Sequence, residues 1–184
     1  MDEVRFHGRA GQGILTASRI FAEAAISDGK YAQSFPDFGP ERLGAPIAAF
    51  ARIDSQPIEI RSQVYTPNAV AVFEDSLLNK VPVTQGLVAK GKLVVNWIGE
   101  NTDELKQFGE KAGATTLCLN ANRIAMELIG SPTVSTIMLG ALTQASGLVS
   151  IDSLEKTVRE RFHGSMGETN AKMVRMGFKE VRQI

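Results

Sequence analysis

Residues 3–29, EVRFHGRAGQGILTASRIFAEAAISDG, decide the fold of this chain. Residues 3–7 alternate loosely in polarity and predict a strand, after which glycines stand at positions 8, 11 and 13. The apolar residues that follow are spaced as on one helix face, and Gly29 ends that helix: Ile14, Ala17, Phe21, Ala24 and Ala25. The chain therefore opens as a strand, a glycine-rich loop and a helix, which is a Rossmann-like opening.

Short apolar runs farther along the chain predict further strands at 31–35, 47–53, 57–65, 69–73, 92–97 and 115–119. Helical patterns lie at 75–80, 84–90 and 103–112, and then at 122–129, 133–145, 151–162 and 168–180, the last ending near Gly177. This alternation predicts an α/β fold with a mainly parallel sheet, flanking helices and a helical C-terminal third. We expect residues 1–184 to form a single domain.

The composition excludes several classes of protein. Lysine and arginine number 20, as do aspartate and glutamate, and a net charge of zero argues against a protein held mainly by nucleic-acid phosphates. The lone cysteine, Cys118, excludes an intramolecular disulfide and cannot by itself hold an iron–sulfur cluster, which takes about four cysteines. His7 and His163 form no metal-ligand cluster with it, so we predict no metal site.

The N-terminal residues, MDEVRFHG, are acidic and lack the apolar segment of a signal peptide. The apolar runs elsewhere are too short to cross a bilayer. We therefore expect a soluble cytoplasmic protein that does not act on membranes.

The glycine-rich loop is the first candidate site, with Gly8, Arg9, Gly11, Gln12 and Gly13 as its binding residues. Small residues let a phosphate approach the backbone N–H groups, and the helix N-terminus adds a partial positive charge. The spacing G-x-x-G-x-G differs from both the dinucleotide fingerprint and the Walker A loop. A tight strand-to-helix turn or a subunit contact explains the same glycines without a ligand, and both readings stay open.

The proline-rich stretch 35–46, FPDFGPERLGAP, is the second candidate. Aromatic and arginine side chains are favoured at protein interfaces, which makes Phe38, Pro40, Glu41 and Arg42 candidate contact residues. The alternative is a loop folded back on its own sheet. Arg61, after a predicted strand, could face an anion or a neighbouring subunit, or lie in solvent. No nucleophile–base pair or paired carboxylates occur in a known motif, so we predict no catalytic residue in this chain.

Several of these stretches carry a resemblance to a known family. Residues 6–13, FHGRAGQG, resemble the F-G-R-G-G-Q-G opening of the gamma subunit or gamma domain of 2-oxoacid:ferredoxin oxidoreductases. Residues 29–46, GKYAQSFPDFGPERLGAP, resemble that family's G-K-Y-A-Q-x-F-P-x-F-G-P-E-R-R-G-A-P segment, and matches to R-S-Q, M-L-G-A and G-L-V follow at 61–63, 138–141 and 147–149. Two departures are Ala10, where a glycine is common, and Leu43, which replaces the second arginine.

The resemblance implies a subunit of an enzyme that oxidatively decarboxylates a 2-oxoacid with thiamine diphosphate and [4Fe-4S] clusters, with ferredoxin as acceptor. It implies alpha, beta and delta partner subunits that hold these cofactors, and a gamma part that packs against them. Most such enzymes form an acyl-CoA, whereas relatives acting on oxalate form only carbon dioxide. If CoA is used, its phosphates would suit the loop at residues 8–13 as a binding site.

Two alternative identities stay open at this point. The chain could be an independent nucleotide- or CoA-binding protein, or an indolepyruvate-type beta subunit that shares the same domain. The 2-oxoacid is also open among pyruvate, 2-oxoisovalerate, 2-oxoglutarate and oxalate.

Overall fold

The computed structural model describes residues 1–37 and 43–184. Its strands are β1 (Asp2–Arg9), β2 (Tyr31–Asp37), β3 (Pro46–Asp54), β4 (Ala69–Val72), β5 (Lys92–Asn96), β6 (Thr115–Leu119) and β7 (Arg182–Gln183). Its helices are α1 (Ile14–Ser27), α2 (Asp103–Lys111), α3 (Ala121–Ile129), α4 (Ser135–Ser146), α5 (Ile151–Phe162) and α6 (Gly164–Glu180). The predicted α/β class and the strand–loop–helix opening are confirmed.

The strands of the described residues form one seven-stranded sheet in the order β2-β3-β1-β4-β5-β6-β7. The centre is parallel, from β1 through β4 and β5 to β6. The flanks are antiparallel, because β3 pairs with β1, β2 pairs with β3 and β7 pairs with β6. The sheet is thus mixed, and its parallel part is the predicted α/β core.

Both faces of the sheet are covered, which explains the unbroken apolar runs of its central strands. Along β4, Ala69 and Ala71 pack with α1, α3, α4, α5 and α6, whereas Val70 and Val72 pack on the other face with residues 77–87 and α2. Strands β5 and β6 alternate in the same way. The helices and loops that follow the strands therefore pack into one of two separate apolar layers, one on each face of the sheet.

The predicted strand at 57–65 is wrong, because arginine side chains on the sheet donate hydrogen bonds to the backbone carbonyls of this segment. The Arg52 guanidinium donates to the carbonyls of Ile60 and Gln63, and Arg5 donates to that of Val64 at 2.9 Å. These hydrogen bonds hold residues 57–65 against the sheet as an irregular segment, and the segment does not pair as a strand.

The helix expected at 84–90 is also wrong. Gly86 adopts a left-handed φ of +74°, and a Cβ there would lie 1.9 Å from the Tyr65 carbonyl oxygen, so this position holds a turn. At 75–80 the structure has only a short 3-10 helix, Asp75–Leu77. Helix α6 begins earlier than expected and continues past Gly177. The other helices lie within a few residues of their predicted bounds.

Candidate functional site

The glycine-rich loop lies at the carboxyl edge of the parallel strands, where the connections that follow two neighbouring strands leave on opposite faces of the sheet. Strand β1 leads into α1 on one face, whereas the neighbouring parallel strand β4 leads into residues 75–87 on the other face. A crevice of this kind, between strands whose connections go to opposite faces, is where ligands bind in open α/β sheets. The topology therefore supports the sequence-based choice of this loop.

The glycines of the loop serve close packing. A Cβ at Gly8 would lie 2.1 Å from Cδ1 of Ile14, and one at Gly11 would lie 2.8 Å from Cδ1 of Leu43. Gly13 takes the N-cap position of α1 with a left-handed φ of 76°. Backbone hydrogen bonds between Ala10 and residues 44–45 tie the loop to the start of β3. Each glycine thus has a structural reason that is independent of any ligand.

The carboxylate of Glu74, two residues after β4, closes the loop. It belongs to a group of four side chains that we call the Glu74 clasp: Arg9, Gln12, Glu74 and Ser76. Nε of Arg9 donates to Oε1 of Glu74 at 2.6 Å, and Nε2 of Gln12 donates to Oε2 at 2.8 Å. The Ser76 hydroxyl donates to the Glu74 carboxylate and accepts from Arg9. Arg9 also donates to the Gly44 carbonyl at 3.0 Å. Both predicted polar side chains of the loop are therefore engaged with the protein itself.

The clasp keeps Glu74 ionised. Partial burial would raise the pKa of Glu74, but hydrogen bonds from Ser76, Arg9 and Gln12 and the charge of Arg9 together hold it below its ordinary value. An internal anion thus neutralises Arg9. An external anion at this loop would have to use the backbone N–H groups of α1 and the hydroxyls beside them.

Those groups face a cleft of about 560 Å³ between the start of α1, the α3–α4 connection and α6. Neither Gly13 of α1 nor Val134 of α4 caps its helix with a side chain. The two N-termini meet, since a Cβ at Gly13 would lie 3.7 Å from Oγ of Ser135. Hydroxyl groups line the same cleft: Thr16, Thr133, Ser135, Ser165 and Thr169. Two helix N-termini, each with a partial positive charge, and several hydroxyl groups therefore line one cleft.

The remaining predicted contact residues do not join this site in the described structure. Arg61 is exposed in the irregular segment after β3. Phe38, Pro40, Glu41 and Arg42 lie outside the described residues. Their neighbour Leu43, the residue that departs from the E-R-R-G-A-P pattern, is 88% exposed and stands over Gly11.

Sequence reasoning pointed to Thr16 as a donor beside the loop but missed Glu74, Ser76 and the other hydroxyl groups of the cleft: Thr133, Ser135, Ser165 and Thr169. Glu74 carries a readable signal, because it follows the apolar run 69–73 directly and so stands at the carboxyl end of a parallel strand. Thr133 and Ser135 carry none, because their partner helix α1 lies more than a hundred residues earlier in the chain.

The described ranges hold no arrangement of three or more His, Cys, Asp or Glu side chains that suits a metal ion. Every helix in these ranges is too short or too polar to span a bilayer.

Residues 3–180 match a family model described as pyruvate ferredoxin/flavodoxin oxidoreductase. The chain belongs to this family. Individual relatives are similar to this chain over nearly their whole length. The pyruvate/ketoisovalerate oxidoreductases common subunit gamma of Pyrococcus furiosus is 45% identical over 180 residues, which are 98% of this chain and 97% of that relative. Pyruvate synthase subunit PorC of Methanothermobacter thermautotrophicus is 47% identical over 184 residues, covering 100% of this chain and 98% of its own.

A solved structure of the family has the same fold. Pyruvate oxidoreductase subunit PORC from Thermotoga maritima superposes with a TM-score of 0.85 at 34% identity, covering 99% of this chain and 97% of the other. The resemblance to gamma subunits that the sequence suggested is therefore confirmed, and the relatives are subunits of oxidoreductases.

Proposed function

We propose that this chain is the gamma subunit of a 2-oxoacid:ferredoxin oxidoreductase that oxidises pyruvate or 2-oxoisovalerate. The observation that carries the proposal is the end-to-end likeness to subunits named for those substrates. In the overall reaction the carboxylate of the 2-oxoacid leaves as carbon dioxide, two electrons pass to ferredoxin, and the acyl group passes to CoA.

The redox cofactors of this reaction belong to the alpha, beta and delta partner subunits in our proposal. The single cysteine, Cys118, is buried in β6 and cannot meet a cluster's need for about four thiolates. The residues of this chain therefore do not fit a [4Fe-4S] cluster, and we assign the clusters and thiamine diphosphate to other chains. The contribution of the gamma subunit is structural support and one wall of the CoA site.

The CoA contact that we propose lies in the cleft at the start of α1. Phosphate groups suit a helix N-terminus, and here two uncapped N-termini and the hydroxyls of Thr16 and Ser135 face the same space. The Glu74 clasp would hold the loop in the shape that exposes these N–H groups. When bound, CoA supplies the thiol that accepts the acyl group, and this chain binds and orients its anionic part.

The experiment starts with anaerobic purification of the native assembly. We expect a large brown complex that contains thiamine diphosphate and this chain, and that reduces ferredoxin when a 2-oxoacid and CoA are added. A colourless, active ligand-binding species of this chain alone would instead support the independent nucleotide-binding protein.

Variants of the assembled enzyme then test the CoA contact. Thr16→Val combined with Ser135→Ala should raise KM for CoA by tenfold or more and leave KM for the 2-oxoacid unchanged, because each hydrogen bond to a charged group is worth about 1.5–3 kcal/mol. Ser27→Ala, at the opposite end of α1, is the matched control. An unchanged KM for CoA in the double variant would rule out this cleft.

A further inference from the structure

A second cavity, of about 630 Å³, lies on the face of the sheet opposite α1. Strands β1 and β3 form its floor, where His7 pairs with Ala48 and Arg5 pairs with Phe50 in the strand register. Residues 63–65 and 81–86 form its walls. It is separate from the cleft at α1, since the sheet stands between them.

The floor of this cavity holds a buried cation without a carboxylate partner in the described residues. Arg5 is 8% exposed, and its guanidinium donates to two backbone carbonyls, Gln85 at 2.8 Å and Val64 at 2.9 Å. A guanidinium has five N–H groups, so donor capacity remains. Asp37 at the rim accepts a hydrogen bond from Gln63 at 2.7 Å.

Arg52, on the neighbouring strand, provides the comparison. It is buried to a similar degree and also donates to carbonyls, but Oε1 of Glu3 lies 2.7 Å from its Nε. Arg52 is thus neutralised by a direct ion pair, whereas Arg5, which lines the cavity, has no ion pair in the described ranges. The charges of Asp37 and Glu3 attract Arg5, but neither carboxylate forms an ion pair with it, so a ligand anion in direct contact with the buried guanidinium would be stabilised.

His7 adds a second polar group to the same floor. Its Nε2 is buried and makes no hydrogen bond in the part of the chain that the structure describes. Burial, and then the charge of Arg5, lower the pKa of His7 to about 4, so the ring is neutral at pH 7. An unpartnered buried nitrogen calls for a partner that the cavity has to supply.

We propose that this cavity binds a small organic carboxylate with a short apolar tail. The carboxylate lies against Arg5 and beside Nε2 of His7, which takes up a proton on binding and donates it in a hydrogen bond to the carboxylate. The tail packs on the apolar part of the lining: Ala48, Phe50, Val64, Val81 and Pro82. This site is independent of the CoA contact proposed above, because it uses other residues on the other face of the sheet.

The histidine ring signals of the purified chain provide the test, since His7 and the exposed His163 are its only two histidines. Hexanoate, added at pH 7 to about millimolar concentration, should shift the ring ¹⁵N signals of His7 and raise its pKa, because a nearby negative charge favours the imidazolium. The His163 signals should stay in place and serve as the internal control.

Three results would overturn the proposal. The first is an unmoved His7 signal, and the second is an equal response of His163. The third is an equal response of His7 to hexanol or to inorganic phosphate, since hexanol lacks the charge and phosphate lacks the tail.

Variants separate ligand binding from folding. Arg5→Gln should weaken hexanoate binding about tenfold or more, but it also releases the carbonyls of Val64 and Gln85. Ala48→Leu fills the cavity from β3, leaves Arg5 in place and should weaken binding to a similar extent. The exposed Arg61→Gln removes a positive charge outside the cavity and should bind hexanoate like the natural chain. Full binding by Ala48→Leu would contradict the proposed site.

Discussion

At the scale of single residues, Glu74 gives the glycine-rich loop its shape. Its two carboxylate oxygens accept from Arg9, Gln12 and Ser76, and so connect the end of β1 to the end of β4. The loop contains the donors that a phosphate needs, yet its charged donor is satisfied internally. The contacts that hold the glycine-rich loop in this shape therefore come from the chain itself.

Glu74→Gln should lower the free energy of unfolding by about 1–2 kcal/mol. The amide keeps the size of the side chain but loses the charge that pairs with Arg9, and the partial exposure of both groups, 23% for Arg9 and 29% for Glu74, limits the loss. Urea unfolding of the purified chain measures the effect.

Glu100→Gln is the control for this prediction, because Glu100 is exposed and forms no ion pair in the described ranges. It should change stability by less than about 0.5 kcal/mol. Equal stabilities for the two variants would show that the clasp contributes nothing to the fold.

At the scale of the elements, the close crossing of α4 and α6 depends on two glycines. A Cβ at Gly140 would lie 1.9 Å from the carbonyl oxygen of Val174, and one at Gly177 would lie 1.9 Å from that of Ile137. The helix backbones meet directly at these points. The M-L-G-A segment at 138–141 therefore belongs to a helix–helix contact, and its apolar members are buried.

Gly177→Ala should destabilise the chain by about 3 kcal/mol. A glycine-to-alanine change inside a helix ordinarily gains about 1 kcal/mol, but here the new methyl group meets backbone atoms that cannot rotate away. Thermal unfolding compared with Lys172→Ala, an exposed position on the same helix, measures the difference. A stabilised Gly177→Ala would mean that the two helices are farther apart than the structure places them.

At the scale of the whole molecule, the sheet separates two regions with different electrostatics. The α1 side carries a cleft of hydroxyls and helix N-termini, whereas the opposite side carries Arg5 and the neutral His7 in a cavity. Both regions depend on the folded sheet, so protonation of a buried group on it acts on the stability of the entire domain.

Acid should therefore destabilise the domain well before the carboxylates titrate. The folded-state pKa of His7, about 4, lies below its ordinary value of 6.5, so between these values the unfolded chain binds a proton that the native chain does not. The contribution is complete above pH 6.5 and is lost as the pH falls towards 4, a change of about 3 kcal/mol. The lowered pKa of Glu74 adds a further loss at lower pH.

Urea unfolding between pH 4 and pH 7 checks this prediction. His7→Gln should flatten the slope of stability against pH, whereas the exposed His163→Gln should retain it. The same slope in His7→Gln as in the natural chain would contradict the assignment to His7.

The sequence by itself determined the opening strand, loop and helix, the C-terminal helices and the family. Apolar spacing within 14 residues is enough to define the buried face of α1, because helix periodicity is a local property. The motifs of residues 6–13 and 29–46 are likewise local, so they identify the family without a structure.

Only the tertiary structure decided how distant parts of the chain satisfy one another. The pairing of Arg9 with Glu74 spans 65 residues, and the approach of Gly13 to Ser135 brings together the N-termini of α1 and α4. The irregular path of residues 57–65 follows from guanidinium groups of β1 and β3, although its own residues favour a strand. Hydrogen-bond partners and charge neutralisation are set by three-dimensional proximity, and neither can be read from spacing along the chain.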